Sequence, residues 1–275
     1  QDVLQESIDT ELEQFRQKRD GVYLHQGAAT VIDNATGKVI AIVGGRSQKS
    51  LRNKTETLNR AYQSFRQPGS TIKPLIVYTP ALERDYTPDT IVDDSKFEGG
   101  PKNSGDSYLG KIKLRLAVEK SKNVVAWKLF SELTPSVGLD YTEKMHFTKL
   151  TPNDYFAPAA LGGLYYGTTS VEMAGAYATL ANKGIFREPT CIVDILDSRC
   201  NSVYQEGNST RVYTTKAAEE MTDILQGVAI NGTAAGLQLD GGMPLACKTG
   251  TTNNQVSGWF CGYTPYYTCA VYVGA

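Results

Sequence analysis

Histidine is nearly missing from this chain, with only His25 and His146 among 275 residues. The two share no spacing with each other or with a cysteine pair, so neither a zinc site nor a Ser-His-Asp triad has support, and no metal or cofactor is expected. A basic excess is missing too. The 28 Lys and Arg against 29 Asp and Glu give a net charge of -1, which disfavours nucleic-acid binding. No apolar run approaches the ~20 residues that cross a bilayer, and the first residues carry no signal-peptide pattern. Cysteines number five, an odd count that cannot all pair within one chain. Cys247, Cys261 and Cys269 fall in apolar terminal segments and read as structural thiols, whereas Cys191 and Cys200 flank a short strand and turn. Internal repeats and low-complexity segments are absent. The remaining composition, 41% hydrophobic and 21% charged, suits one large core or two lobes.

What the chain does have is three short motifs in order: Ser70-Thr71-Ile72-Lys73, Ser121-Lys122-Asn123 and Lys248-Thr249-Gly250-Thr251. Pro68-Gly69 closes an extended stretch and the residues after Ser70 are largely apolar, which predicts a buried helix opening at Ser70. Residues three apart share a helix face, so Lys73 lies under the Ser70 hydroxyl. Pro74 lies too far inside that helix to be neutral, because it removes a backbone hydrogen bond. A lysine acts as a base only when neutral, a state favoured by desolvation or by a second cation, here Lys248. Ser121 is a candidate proton relay, and Asn123 offers both a donor and an acceptor for a substrate amide. Read alone, Ser121-Lys122-Asn123 fits a helix N-cap better than a site. Residues 245–252 read as a strand leaving at an Asn253-Asn254 turn. On it Gly250 permits a close approach to the substrate backbone, and Thr249 and Thr251 set hydroxyls beside the Lys248 charge, an arrangement that would hold a carboxylate. The amides of Ser70 and Thr251 are the candidate oxyanion hole.

The ordered trio resembles the signature of penicillin-binding proteins and serine β-lactamases. The resemblance extends along the chain. Residues 65–74, Phe-Arg-Gln-Pro-Gly-Ser-Thr-Ile-Lys-Pro, look like the active-site segment of the bifunctional, class A penicillin-binding proteins. So do Thr36 to Gly45, Leu58-Asn59-Arg60-Ala61, Pro101-Lys102-Asn103, Tyr108-Leu109-Gly110, Val171 to Tyr177 and Trp259 to Pro265. The chain is thus identified as resembling their transpeptidase domain. The resemblance implies a serine DD-transpeptidase without a cofactor, acting on peptidoglycan stem peptides: a D-Ala-D-Ala donor acylates Ser70, and an amine of a neighbouring stem accepts the acyl group. It further implies acylation by β-lactam antibiotics, an extracytoplasmic position at the bacterial membrane, and a glycosyltransferase domain and anchor in the parent chain but outside this sequence. It also implies that the chain stops inside its closing strand, at Val273-Gly274-Ala275.

The implied fold is α+β: a five-stranded antiparallel sheet covered by helices, beside a mainly helical lobe. Leu4, Ile8, Leu12 and Phe15 fall at helical spacing, so residues 1–24 read as a linker with a leading amphipathic helix, and residues 25–275 as the domain. A hairpin is predicted around Asn34-Ala35-Thr36-Gly37, and mainly helical patterns run from Ser70 to about Gly184 around a loop from Ser95 to Gly110. A small hairpin is predicted over 192–204, a helix over 216–229, and three final strands. The competing functions are a β-lactamase and a non-catalytic β-lactam sensor. A lactamase needs a glutamate that activates water, and the candidates Glu143 and Glu172 lack the Glu-x-x-x-Asn pattern.

Overall fold

The fold is seen in a computed structural model that describes residues 1–47, 58–205, 207–251 and 257–275. Its strands are β1 (Lys18–Arg19), β2 (Val22–Tyr23), β3 (Gln26–Asp33), β4 (Val39–Val43), β5 (Ile91–Asp93), β6 (Lys111–Lys113), β7 (Ile185–Arg187), β8 (Ser209–Arg211), β9 (Ala246–Thr251), β10 (Ser257–Tyr263) and β11 (Tyr267–Gly274). Its α-helices are α1 (Asp2–Glu11), α2 (Arg60–Gln63), α3 (Thr79–Leu82), α4 (Leu114–Glu119), α5 (Asn123–Leu133), α6 (Pro135–Lys144), α7 (Ser170–Ala181) and α8 (Thr215–Ile230).

The principal sheet is antiparallel with order β4-β3-β11-β10-β9. The two ends of the chain therefore meet in its middle, which is the expected five-stranded architecture. Helices α7 and α8 cover one face, while α1 lies on the other. There Ile8 and Leu12 bury themselves against Ala29 and Val43, the contact the spacing of α1 predicts. Strand β3 has small residues, Gly27, Ala28 and Ala29, where both faces are covered. A Cβ on Gly27 would come within 3.0 Å of the Ile8 side chain, so a small residue there lets α1 close down. The hairpin turn uses Gly37 at φ +74°, a conformation glycine adopts without steric cost. Strand β9 lies at the sheet edge, paired only with β10, with Lys248 opposite Cys261 and Gly250 opposite Trp259. The turn predicted at Asn253-Asn254 lies outside the described residues.

Three features depart from the pattern-based expectation. The helical lobe contains a two-stranded ribbon, β5 with β6, bracketing the loop from Ser95 to Gly110. Its strands are three residues long and each buries only its central residue, Val92 or Ile112, too short a pattern to read from sequence. The predicted hairpin over 192–204 reduces to a single bridge between Leu196 and Ser202, while β7 and β8 pair outside it. The helix at Ser70 is also not a plain α-helix. Gly69–Ile72 is a 3-10 turn in which the Lys73 amide bonds the Ser70 carbonyl, Pro74–Tyr78 is a π turn, and only Thr79–Leu82 is α. Pro74 explains the sequence of turns. It has no N–H to return to the Ser70 carbonyl, so the ladder tightens before it and widens after it, with the Thr79 amide reaching back to the Pro74 carbonyl.

Candidate active site

A 3-10 turn eclipses residues i and i+3, so the geometry at Ser70 stacks the Lys73 stem under the serine more directly than an α-helix does. Ser70 is half-buried, and its hydroxyl makes no hydrogen bond among the described residues. Lys73 and Lys248, from the helical lobe and the sheet edge, are both fully buried. They converge on Ser121. Lys248 Nζ donates to Ser121 Oγ at 2.9 Å and to the Thr249 carbonyl at 2.9 Å. Lys73 Nζ donates to the Ser121 carbonyl at 2.9 Å and to Asn123 Oδ1 at 2.6 Å, with Ser121 Oγ at 3.5 Å. Burial is the largest cause acting on both amines. It holds Lys73 well below the ordinary lysine range, where Lys248 lowers it further and Asp94 opposes, and it brings Lys248 down to about 7.

Ser121 occupies the left-handed region at φ +54°, which costs a non-glycine residue of order 1 kcal/mol and holds its hydroxyl between the lysines. The stretch Ser121-Lys122-Asn123 does open a helix: Lys122 is the N-cap position and Asn123 the first residue of α5, but the Lys122 side chain gives no cap. The cap comes from elsewhere in the chain. Asn103 Oδ1 accepts from the amides of Asn123 at 2.8 Å and Val124 at 3.1 Å. Its Nδ2 donates to Asp94 Oδ1 at 2.7 Å, and Lys122 Nζ pairs with Asp94 Oδ2 at 3.3 Å. Asp94, fully buried, belongs to none of the three motifs, and sequence reasoning passed over it. Asn103 had at least been marked by the resemblance of Pro101-Lys102-Asn103.

Glycines bring the nucleophile turn against the sheet edge. A Cβ on Gly69 would lie 2.9 Å from the Thr251 carbonyl, and one on Gly250 would lie 2.7 Å from the Pro68 carbonyl. Thus the close approach that Gly250 permits is to the protein's own turn, whereas the sequence suggested a substrate backbone. Gly162, at φ +84°, leaves no room for a Cβ against the Gly69 amide. Thr249 Oγ1 is hydrogen-bonded to Thr233 Oγ1 at 2.6 Å, while Thr251 is exposed at the end of β9. Asn123 Nδ2 donates to the Lys102 carbonyl at 2.8 Å, so one of its two hydrogens remains for another acceptor. A cavity of about 210 Å³ opens beside Gly69 and Thr251, walled by Gln67, Trp127, Leu161 and Gly163. Trp127 lies one turn from Asn123 on α5 and was also missed, because an aromatic in an apolar helix reads as core.

The carboxylates weighed as water activators are engaged elsewhere. Glu172 completes a capping box at the start of α7 and accepts from Thr148, Thr168 and Thr169. Glu143 accepts from the Tyr155 hydroxyl. Cys247 and Cys261 are buried behind β9, where burial pushes the Cys247 thiol up to about 11 and Cys261 well up. Cys191 and Cys200 are exposed and unbonded. Among the described residues no group of three His, Cys, Asp or Glu side chains is gathered as a metal site.

A serine at the head of a buried helix, facing a lysine on a sheet edge across a cleft free of histidine, defines the class of active-site-serine acyl-transfer enzymes. The family profile described as penicillin binding protein transpeptidase domain matches residues 27–275. The chain is 37% identical over 274 residues to penicillin-binding protein 1A of Clostridium acetobutylicum, covering 93% of this chain and 33% of that protein. It is 33% identical over 254 residues to penicillin-binding protein 4 of Bacillus subtilis, covering 90% and 40%. The chain therefore belongs to the penicillin-binding protein transpeptidase domain family and spans roughly a third of these relatives' length. The fold is likewise shared with PonA1 of Mycobacterium tuberculosis, solved with penicillin V, at a TM-score of 0.80 and 24% identity over 100% of this chain and 75% of that one. The D,D-transpeptidase domain of a peptidoglycan glycosyltransferase from Eggerthella lenta matches at 0.77 and 22%, over 98% and 76%.

Proposed function

We propose that this domain joins peptidoglycan stem peptides through an acyl-enzyme on Ser70 and is acylated there by β-lactams. The observation that carries the reading is the convergence of two fully buried lysines on the Ser121 hydroxyl. A neutral Lys73 has two hydrogens and one lone pair. The hydrogens go to the Ser121 carbonyl and Asn123 Oδ1, which leaves the lone pair for the Ser70 proton. Ser70 Oγ then attacks the penultimate D-Ala carbonyl. The oxyanion forms against the Ser70 and Thr251 amides, and the bond to the terminal D-Ala nitrogen breaks as that nitrogen takes a proton through Ser121. Lys248, with Thr249 and Thr251, holds the donor's terminal carboxylate, and Gly250 keeps that strand against the nucleophile turn. Asn123 uses its spare hydrogen on the donor amide. In the second half, the acceptor amine attacks the ester carbonyl, gives its proton to the same base, and Ser70 leaves with its hydrogen restored.

Residues 25–275 are on this reading the catalytic unit and residues 1–24 its leading linker. The parent chain carries a glycosyltransferase domain and a membrane anchor, which sets the domain at the extracytoplasmic face. No described helix is long and apolar enough to cross a membrane. Nothing observed favours a lactamase, since the one acidic side chain on α7 near this turn, Glu172, is held by its own cap. The test is intact-mass spectrometry of the chain with benzylpenicillin. A persistent adduct mapped to Ser70, and lost in Ser70→Ala, is the expected result. Rapid return to the free mass with the drug consumed would instead make the domain a hydrolase.

A further inference from the structure

A buried carboxylate outside all three motifs is tied, through Asn103 and Asn123, to the Lys73 half of the lysine cluster. Asp94 is fully buried at the end of the ribbon strand β5. Its oxygens accept from Asn103 Nδ2 at 2.7 Å, from the Leu109 amide at 2.9 Å and from Lys122 Nζ at 3.3 Å. All three partners are donors, which is the environment of an ionised carboxylate. Lys122 also donates to the Ser107 carbonyl at 2.8 Å, and so does Asn103 Nδ2 at 2.9 Å. The loop from Ser95 to Gly110 is thereby folded around one charge. From the middle of that loop Asn103 Oδ1 clamps the first two amides of α5, and the first residue of α5 is Asn123, whose Oδ1 holds the Lys73 amine.

We infer that Asp94 is a positioning residue for acylation: through Asn103 it fixes where Asn123 and Ser121 meet the Lys73 amine, and its charge faces that amine from across the network. This rests on the proposed role of Lys73 as base. The charged and titratable groups around the network are Lys73 and Tyr78 on the nucleophile helix, Lys122 before α5, Tyr108 on the loop and Lys248 on β9. Asp93 and Asp106, on the same ribbon and loop, are exposed and engaged with Lys128 and Tyr108, so Asp94 is the buried anion of the network. It opposes the combined effect of burial and Lys248 on Lys73, so it limits how far that amine falls.

Position and charge can be separated by two variants, measured as benzylpenicillin acylation rate against pH, with the acylable fraction titrated to correct for misfolded protein. In Asp94→Asn the amine loses its anion and Lys122 loses its partner. The acid limb of the profile should move to lower pH, and the rate on the plateau should fall about tenfold or more from lost positioning. In Asn103→Ala the charge remains and only the clamp is cut, so the rate should fall with the acid limb unmoved. Asp94→Glu should return the limb toward its wild-type position. A wild-type rate and profile in both Asp94→Asn and Asn103→Ala would overturn the inference, as would a slower Asp94→Asn whose limb stays in place, because a purely structural role predicts that. Should wild type itself fail to acylate, the reading of Lys73 as base is what falls.

Discussion

Two polar clusters flank the nucleophile turn, one half-buried and one fully buried, and they are built on opposite plans. On one side Glu172 receives hydrogen bonds from Thr148, Thr168 and Thr169, each oxygen filled by local donors, and the result is a rigid start to α7. Across the turn, Lys73 and Lys248 are buried against carbonyls and one shared hydroxyl, and among the described residues no carboxylate touches either amine. Burying a charge without a contacting counter-ion is costly, and the system lowers that cost by releasing protons. The Glu172 cluster stabilises the fold, whereas the lysine cluster spends stability on amines that hold their protons less tightly than an exposed lysine does.

The sharpest way to break that comparison is to remove the amine. Lys73→Met should lower the rate of penicillin acylation by at least about 10³-fold, while its thermal midpoint stays equal to or above that of wild type, since an apolar side chain of similar length removes an uncompensated buried group. A midpoint several degrees lower would show that the lysine cluster stabilises after all. The reverse behaviour is expected of Glu172→Ala. Its loss leaves the hydroxyls of the buried Thr168 and Thr169 and the Thr169 amide without this acceptor and should cost about 1–3 kcal/mol by urea titration, with the acylation rate of the folded fraction within about threefold of wild type.

A third test uses pH. Lys248 titrates near 7 in the folded protein and near 10.5 when exposed, so the unfolded chain holds more protons between those values. The contribution of this group to stability therefore rises with pH above about 7 and is smallest below it. The buried thiols act in the opposite sense only from about 9 upward. Wild type should gain in unfolding free energy from pH 7 to pH 8.5 relative to Lys248→Met, by an amount on the order of 1 kcal/mol in urea titrations. A parallel pair of curves would remove Lys248 from the account. The smallest expected effect is at Ser70→Ala, where a half-buried hydroxyl without a partner among the described residues is deleted. Its stability should change by less than about 0.5 kcal/mol although labelling disappears.

Much of this was legible in order along the chain. The three motifs, the hairpin at Gly37, α1 with its Ile8 and Leu12 stripe, and the terminal strands all carry local signals: spacing, turn glycines, apolar runs. Ser121 was legible as a residue but not in its backbone, since a left-handed serine has no sequence mark. Asn123 was read as facing substrate, yet its carbonyl oxygen holds Lys73. Pro74 was legible as an anomaly, and the 3-10 to π succession is the physical form of that anomaly. Asp94 and Asn103 were not legible as parts of the site, because they lie at the start and middle of a loop whose composition reads only as turn.

By itself, then, the sequence determined which groups are present: a serine, a lysine three residues on, a second hydroxyl and a second lysine, in a chain too poor in histidine to support a Ser-His-Asp triad. Tertiary structure decided that the amines of Lys73 and Lys248 are both drawn below the ordinary lysine range. That depends on desolvation and, at Lys73, on the charges of residues 94 and 248 brought near it, and Coulomb interactions act through space, where separation along the chain does not count.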